Sequence, residues 1–209
     1  MRAGGVKNPD YTGTFSFVND FPALLSDTPP GKSADFFFQT ESVRGVCKVI
    51  VFSPSHNLTL PVMTAGELLA EAELWQREYL ELSLNPDISY IQIFENKGAM
   101  MGCSNPHPHG QIWATGSIPE TVLKKVESQR QYFEENGRPL LLDYLEQELA
   151  KDERIVYANE GFVALVPYWA VWPFETMIIP RRQVSSIGQF RPRELELLMD
   201  AVKALTIRY

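Results

Sequence analysis

The pattern of apolar and polar positions predicts strands and helices that alternate along the whole chain. Short apolar or alternating segments are typical of strands, and longer segments with apolar residues at helical spacing are typical of helices. Strands are predicted at 14–18, 46–52, 90–94 and 111–114. Helices are predicted at 64–82, 120–135 and 140–151. The first helix has a clear start signal, because Thr64 and Glu67 have the spacing of a capping box.

The order of two strands followed by a helix then begins again. Further strands are predicted at 155–157, 162–166 and 174–180, and a helix begins at about residue 192. This weak internal repeat ends at Tyr209, before a second copy of the strand that follows the first helix. We therefore expect one complete half over 1–150 and an incomplete second half over 151–209.

Composition and charge narrow the function classes. The chain has 209 residues, of which 44% are hydrophobic, and no apolar run approaches the length of about 20 residues that crosses a bilayer. A net charge of -7 argues against nucleic-acid binding. The two cysteines do not suggest a disulfide framework, and the first residues do not resemble a signal peptide. We expect a cytoplasmic protein that binds neither membranes nor nucleic acid.

The candidate chemistry lies in residues 102–111, Gly-Cys-Ser-Asn-Pro-His-Pro-His-Gly-Gln. His107 and His109 are two of only three histidines, and in an extended segment side chains two residues apart point to the same side. Pro106 and Pro108 remove two backbone donors, so an ordinary helix or central strand is excluded there. A chance His-x-His pair is the simpler alternative, but the surrounding small and polar residues favour a functional site.

The segment 104–114, Ser-Asn-Pro-His-Pro-His-Gly-Gln-Ile-Trp-Ala, resembles the active-site signature of the galactose-1-phosphate uridylyltransferase family. Further blocks agree with the family at 7–13, 19–21, 94–98, 167–170, 172–176 and 179–182. The resemblance covers essentially the whole chain. It implies an α+β fold of the histidine-triad-like superfamily, in which an antiparallel sheet is packed with helices and two related halves follow one another.

The resemblance implies a nucleotidyltransferase that moves UMP from UDP-glucose to galactose 1-phosphate, a step of the Leloir pathway of galactose metabolism. His109 would form a uridylyl-histidine intermediate, and Gln111 would donate to a phosphoryl oxygen. A neutral imidazole is a competent nucleophile when its N–H is held by an acceptor, and the His107-Pro108 backbone could supply that carbonyl. The residues assigned to substrate binding are Ala3, Asn19, Asp20, Phe21, Asn96, Gly102, Cys103, Ser104 and Gln111.

The resemblance also implies a zinc site and a homodimer. His56 and His107 match two zinc ligands, and the family's other two come from a Cys-x-x-Cys pair upstream of the position of Met1. Two histidines fall short of the four ligands of structural zinc, so zinc binding is expected to be weak. A second family metal uses a glutamate where Lys125 stands, so no second metal is expected. The chain would then be truncated at both ends relative to the family.

Two other functions stay open at this point. A related histidine-triad phosphorylase or hydrolase would resolve the same covalent intermediate with phosphate or water. A folded fragment would bind nucleotide sugars without catalysis.

Overall fold

A computed structural model describes residues 2–103 and 105–209, with the backbone alone for Ala3. The chain divides into two compact units. The first comprises Met1–Leu58 and Leu74–Pro119, and the second comprises Thr59–Glu73 and Glu120–Tyr209.

The first unit is built on an antiparallel sheet. Its strands in chain order are β1 (Phe15–Val18), β2 (Lys32–Ala34), β3 (Gln39–Glu41), β4 (Gly45–Val51), β5 (Tyr90–Phe94) and β6 (His109–Thr115). Four of them form one sheet in the order β1-β4-β6-β5, and β2 and β3 form a separate hairpin. The pattern of the sequence predicted the four sheet strands to within two residues. It did not predict the hairpin, whose strand residues are all exposed and carry no apolar alternation.

Helix α1 (Ala65–Ser83) begins at the predicted capping box. The backbone N–H of Thr64 donates to Glu67 (2.8 Å), and the N–H of Glu67 donates to the Thr64 hydroxyl (3.3 Å). Farther along the helix, the buried carboxylate of Glu78 is ion-paired with Lys48 of β4 and accepts a hydrogen bond from Ser16 of β1. Since Lys48 pairs with Ile112, this contact lies on the face of the sheet opposite to His109.

Besides the first part of α1, the second unit contains three helices and a three-stranded antiparallel sheet. Their bounds are α2 (Glu120–Asn136), α3 (Leu140–Lys151), β7 (Ile155–Ala158), β8 (Phe162–Leu165), β9 (Met177–Pro180) and α4 (Pro192–Thr206), and the sheet order is β7-β8-β9. The central strand β8 is completely buried, and its Val163 and Leu165 pack with Leu145 of α3 and Ile179 of β9. The order of helices and strands predicted over residues 120–209 is confirmed.

The side chain of Trp113 on β6 is 39% exposed and packs edge-on against Phe94 at a centroid distance of 5.7 Å. One local prediction is wrong. The strand predicted from residue 174 begins at Met177, because Phe174 has φ +62° and cannot continue an extended strand. None of the helices in the described ranges is both long and apolar enough to cross a membrane.

Candidate active site

The first residue of β6, His109, has one ring nitrogen bound and the other available. Its Nδ1 atom lies 2.7 Å from the carbonyl oxygen of His107. Because a carbonyl can only accept, Nδ1 carries the hydrogen of the neutral ring and Nε2 keeps its lone pair. The carbonyl predicted from the rigid His107-Pro108 backbone is therefore confirmed.

The turn before β6 is shaped by side-chain and backbone contacts that the sequence supplies locally. The Asn105 side-chain oxygen accepts a hydrogen bond from the backbone N–H of His107 (3.0 Å). Pro106 and Pro108 fix φ, and the carbonyl of Pro108 accepts from the N–H of Phe52 (3.4 Å). These contacts hold the His107 carbonyl where His109 can reach it.

Gln111 lies on the same face of β6 as His109, because side chains alternate along a strand. On the neighbouring strand, Val51 pairs with His109 and Val49 pairs with Gln111. Gly110 points to the opposite face, where an added Cβ would come within 3.0 Å of Ile50 side-chain atoms. The predicted side-by-side placement of His109 and Gln111 is confirmed.

A cavity of about 410 Å³ lies against this face, within the size range of small-molecule sites. It brings together seven residues singled out from the sequence: Asn19, Asp20, Phe21, His56, His107, His109 and Gln111. Sequence reasoning missed six further lining residues: Asn8, Tyr11, Phe17, Val49, Val51 and Asn105. Tyr11 and Asn8 lie in a block that was noted for family resemblance, but no spacing argument marks them as lining a cavity.

The side of the cavity at the end of β1 is organised around Asp20. The Arg2 guanidinium contacts the Asp20 carboxylate through Nη2 (2.7 Å) and Nε (3.1 Å), and it also donates to the carbonyl of Val18 (2.9 Å). The same guanidinium lies 4.5 Å from the ring centre of Phe17, a cation–π contact. Sequence reasoning did not find Arg2, because no local pattern connects residues 18 positions apart.

Asn19 and Phe21 form a turn beside Asp20. The Asn19 side-chain oxygen accepts from the backbone N–H of Phe21 at 3.0 Å, which is the geometry of an Asx turn. Phe21 is 82% exposed, so its ring is accessible to a ligand in the cavity.

Three further predicted residues that the structure describes, Asn96, Gly102 and Cys103, are not part of this lining. Gly102 is left-handed (φ +80°) at the end of a 3-10 turn, and the Cys103 thiol donates to the carbonyl of Asn105 (3.0 Å). Ala3 begins a short 3-10 turn, Ala3–Gly5, and Ser104 lies outside the described residues.

Glu95 follows β5 and is half-buried. Burial raises the pKa of Glu95, while attraction to Lys97 and His109 opposes that rise.

His56 and His107 face each other through their Nδ1 atoms, which are 2.7 Å apart. The Nε2 of His107 lies 2.8 Å from the carbonyl of Ser53, so it carries the hydrogen and leaves the Nδ1 lone pair directed at His56. Partial burial lowers the pKa of His107, and the nearby His56 and His109 lower it further. The Nδ1–H of His56 therefore donates to His107 Nδ1, and a metal ion bound to both nitrogens would take the place of that hydrogen.

The described residues do not form a complete metal site. Within residues 2–103 and 105–209, no group of three or more His, Cys, Asp or Glu side chains is placed to hold a metal ion. Cys47 and Cys103 are both free thiols, and Cys47 is buried in β4. The described residues thus fit two corners of a metal site.

An α+β fold with antiparallel sheets that presents a neutral imidazole beside a nucleotide-sized cavity defines a histidine-triad-like protein. The model of the galactose-1-phosphate uridyl transferase N-terminal domain matches residues 1–119, and the model of the C-terminal domain of the same family matches residues 125–209. The chain belongs to the galactose-1-phosphate uridylyltransferase family.

Similar proteins carry the same family name. The galactose-1-phosphate uridylyltransferase of Rattus norvegicus is 47% identical over 209 residues, which are 100% of this chain and 55% of the rat protein. That of Haemophilus influenzae is also 47% identical over 209 residues, again 100% of this chain and 59% of the relative. The chain therefore spans little more than half the length of these relatives.

Solved structures share the fold. A uridylyltransferase structure superposes with a TM-score of 0.86 at 25% identity. The match covers 96% of this chain and 64% of the chain in that structure. An ADP-glucose phosphorylase from Arabidopsis thaliana superposes with a TM-score of 0.78 at 24% identity. That match covers 92% of this chain and 59% of the phosphorylase chain. The second likeness supports the fold alone. The predicted fold class is confirmed.

Proposed function

We propose that this chain transfers a uridylyl group from UDP-glucose to galactose 1-phosphate through a covalent intermediate on His109. The observation that carries the proposal is the 2.7 Å contact between His109 Nδ1 and the His107 carbonyl. This contact fixes the tautomer in which Nε2 is the nucleophile. Family membership and the relatives' names supply the substrates.

In the first step the Nε2 lone pair of His109 attacks the α-phosphorus of UDP-glucose. The N–P bond forms as the bond from that phosphorus to the bridging oxygen breaks, and glucose 1-phosphate leaves with the electron pair. The ring becomes an N-uridylyl imidazolium whose Nδ1–H stays on the His107 carbonyl. The carbonyl dipole of His107 stabilises the positive charge that develops on the ring.

In the second step a phosphate oxygen of galactose 1-phosphate attacks the same phosphorus. The N–P bond breaks, its electrons return to Nε2, and UDP-galactose leaves with His109 neutral again. No net proton transfer is needed in either step. The amide of Gln111, on the same face as His109, donates to a non-bridging phosphoryl oxygen. Asn19, Asp20 and Phe21 line the cavity and bind the uridine part of the substrate.

The remaining predicted contacts belong to the same proposal. Asn96, Gly102, Cys103, Ser104 and Ala3 are proposed to contact the substrate at the edge of the site, as the family resemblance implied. Residues 1–150 would form one half and 151–209 part of a second. Two free thiols suit a reducing compartment such as the cytoplasm. The assembly would be a homodimer.

Labelled UDP-glucose tests the proposal and separates it from its alternatives. The purified chain is incubated with UDP-glucose labelled at the α-phosphate and then divided among buffer, phosphate and galactose 1-phosphate. We expect a labelled protein adduct that passes its label to UDP-galactose only with the sugar phosphate. His109→Gln should form no adduct, whereas Cys103→Ser should still form it.

Each of the other outcomes would assign a different activity to the chain. Discharge by water alone would indicate a hydrolase, and discharge by phosphate would indicate a phosphorylase. Binding of UDP-glucose without any adduct would indicate a nucleotide-sugar-binding fragment. Any of these three results contradicts the transferase.

We further propose that His56 and His107 bind zinc weakly. Imidazole nitrogens are common zinc ligands, and zinc bound between the two Nδ1 atoms would link the loop after β4 to the turn before β6. Metal analysis after dialysis should find well under one zinc per chain. A full, tightly held equivalent would contradict this.

A further inference from the structure

A buried oxygen atom that meets no donor lies in the lining of the active-site cavity. The side-chain oxygen of Asn8, Oδ1, is shielded from solvent, and among the described residues no N–H or O–H group donates to it. A buried acceptor without a partner costs free energy, because it has given up its hydrogen bonds to water. Native structures contain few such groups, so this one calls for an explanation. The Asn8 oxygen is a place where a ligand can supply the missing donor.

Asn8 lies where the active-site cavity adjoins a second one. The second cavity has a volume of about 530 Å³, and it shares four lining residues with the active-site cavity: Asn8, Tyr11, Phe17 and Asn105. The other residues that line the second cavity are Arg2, Lys7, Pro9, Asp10 and Pro54. All of these residues belong to the first unit. Asn8 is therefore within reach of a ligand in either cavity.

Aromatic rings flank this part of the cavity. The ring of Tyr11 stacks on that of Phe15 at a centroid distance of 5.2 Å, with an angle of 8° between the ring planes. The Phe15 ring stacks in turn on that of Phe17 at 5.8 Å. Tyr11 and Phe17 line the cavity together with Asn8. Aromatic side chains bind flat rings by stacking, so a nucleobase is the part of a nucleotide that fits here.

The register of the sheet sets the distance between these rings and His109. Phe15 pairs with Val51, and Val51 pairs with His109. Directly paired residues point to the same face of a sheet, and neighbouring strands are about 4.8 Å apart. Phe15 therefore stands about 10 Å from His109, two strands away on the shared face. A nucleotide whose α-phosphorus lies at His109 reaches across this distance with its ribose and base.

Uracil matches the Asn8 oxygen by its hydrogen-bonding pattern. A uracil that is linked to ribose through N1 keeps one N–H donor, at N3, on the edge away from the sugar. Cytosine has a lone pair at N3 instead of a hydrogen. Ribose hydroxyls are also donors, but they are not part of the flat ring that stacks beside Tyr11 and Phe17. Because an amide oxygen can only accept, its position beside an aromatic surface favours the N3–H group of uracil.

We propose that Asn8 is a substrate-binding residue that recognises the uracil base, with its Oδ1 accepting a hydrogen bond from N3–H. The base lies beside Tyr11 and Phe17, and the buried oxygen obtains from the substrate the donor that the described residues do not provide. This inference deepens the proposed function, because it rests on a uridine nucleotide as the substrate. It does not depend on the transfer step.

Isothermal titration calorimetry with matched ligands tests this hydrogen bond. The protein is His109→Gln, which should bind UDP-glucose without forming an adduct, so that binding is measured apart from transfer. The ligands are UDP-glucose and its N3-methyl derivative, which has no N3–H. With Asn8 present, the derivative should bind about 30-fold more weakly or worse, because the hydrogen bond is lost and the methyl group meets the oxygen.

Two substitutions of Asn8 separate the hydrogen bond from the space that the methyl group needs. Asn8→Leu has nearly the same shape but no acceptor, so the preference for UDP-glucose over the derivative should fall about tenfold. Asn8→Asp keeps an acceptor and should keep the preference. Asn57→Leu is the matched control, because Asn57 is exposed in the same unit and outside both cavity linings. Its preference should be unchanged, and circular dichroism should show native folding in all variants.

Several results would overturn the proposal, and they have different meanings. Equal binding of the two ligands with Asn8 present would refute the hydrogen bond without any change at Asn8. A preference that survives in Asn8→Leu would assign N3–H to another group. With 2′-deoxy-UDP-glucose as a third ligand, a loss of affinity that disappears in Asn8→Leu would move the contact to the ribose.

The same measurements separate this inference from the proposed function. If UDP-glucose does not bind at all, both are refuted. If the preference depends on Asn8 but the wild-type chain transfers no label, uracil recognition stands and the transferase is refuted.

Discussion

The Nδ1 atom of His109 lies 2.7 Å from the carbonyl oxygen of His107, two residues earlier in the chain. One histidine thus sets the tautomer of the other through its backbone, while its own ring faces His56. The two histidines of the motif therefore have separate tasks. The ring of His109 is free to react at Nε2, and the ring of His107 is held by Ser53 and His56.

The Asn105 side chain should be needed for activity although it is not proposed to take part in the reaction. It holds the turn by accepting from the N–H of His107 (3.0 Å), a hydrogen bond worth about 1 kcal/mol. If that energy is lost in the transition state, Asn105→Ala should lower kcat/KM for UDP-glucose about fivefold to tenfold.

Asn85→Ala is the control for this prediction. Asn85 makes the same kind of turn with Asp87 (2.9 Å) before β5, away from the cavity. Steady-state kinetics should show no change for Asn85→Ala. Equal losses in the two variants would mean that the Asn105 turn has no special role.

Arg2 should control substrate affinity through Asp20. Its planar guanidinium makes two contacts with the carboxylate and lies over Phe17, which the ammonium of a lysine cannot reproduce. Arg2→Lys should raise the KM for UDP-glucose about tenfold, with kcat within about twofold of the wild type.

Arg44→Lys serves as the comparison for Arg2. Arg44 donates to the carbonyl of Thr28 (2.6 Å) in the same unit, and it is not part of the cavity lining as described. Its replacement should leave KM unchanged. A fall in kcat without a rise in KM for Arg2→Lys would place Arg2 in the chemical step instead.

Acid should destabilise the second unit through Glu194 at the start of α4. The Arg182 guanidinium bonds both oxygens of this carboxylate, and the Arg191 N–H adds a third contact. These contacts lower the pKa of Glu194 from 4.5 to about 2. The unfolded chain therefore binds a proton at pH values where the folded chain does not, so stability is complete above pH 4.5 and is lost as the pH falls toward 2.

Glu194→Gln should cost on the order of 1–2 kcal/mol of unfolding free energy at pH 7. It should also flatten the pH dependence of stability between pH 4.5 and 2, as measured by urea denaturation. Glu196→Gln is the control, because both side chains of the Glu196–Arg193 ion pair are exposed and such a pair contributes little to stability. An unchanged pH dependence in Glu194→Gln would contradict the assignment.

Local patterns predicted much of the fold and the reactive histidine. The capping box of Thr64 and Glu67 and the alternation of His109 with Gln111 depend on residues close in sequence, so periodicity was sufficient. The contact of Arg2 with Asp20 depends on how β1 and the preceding segment pack, which no local pattern encodes. Phe174 was misassigned to a strand because a left-handed φ at a bulky residue has no local sequence signal.

The position of the uridylyl group on the histidine ring tests the central claim most directly. The adduct formed from UDP-glucose is digested under mildly alkaline conditions, the labelled peptide is mapped, and NMR identifies the nitrogen bonded to phosphorus. Because His109 Nδ1 is held by the His107 carbonyl, we predict one adduct on His109 Nε2. An adduct on His109 Nδ1, on His107, or on any other residue would contradict it.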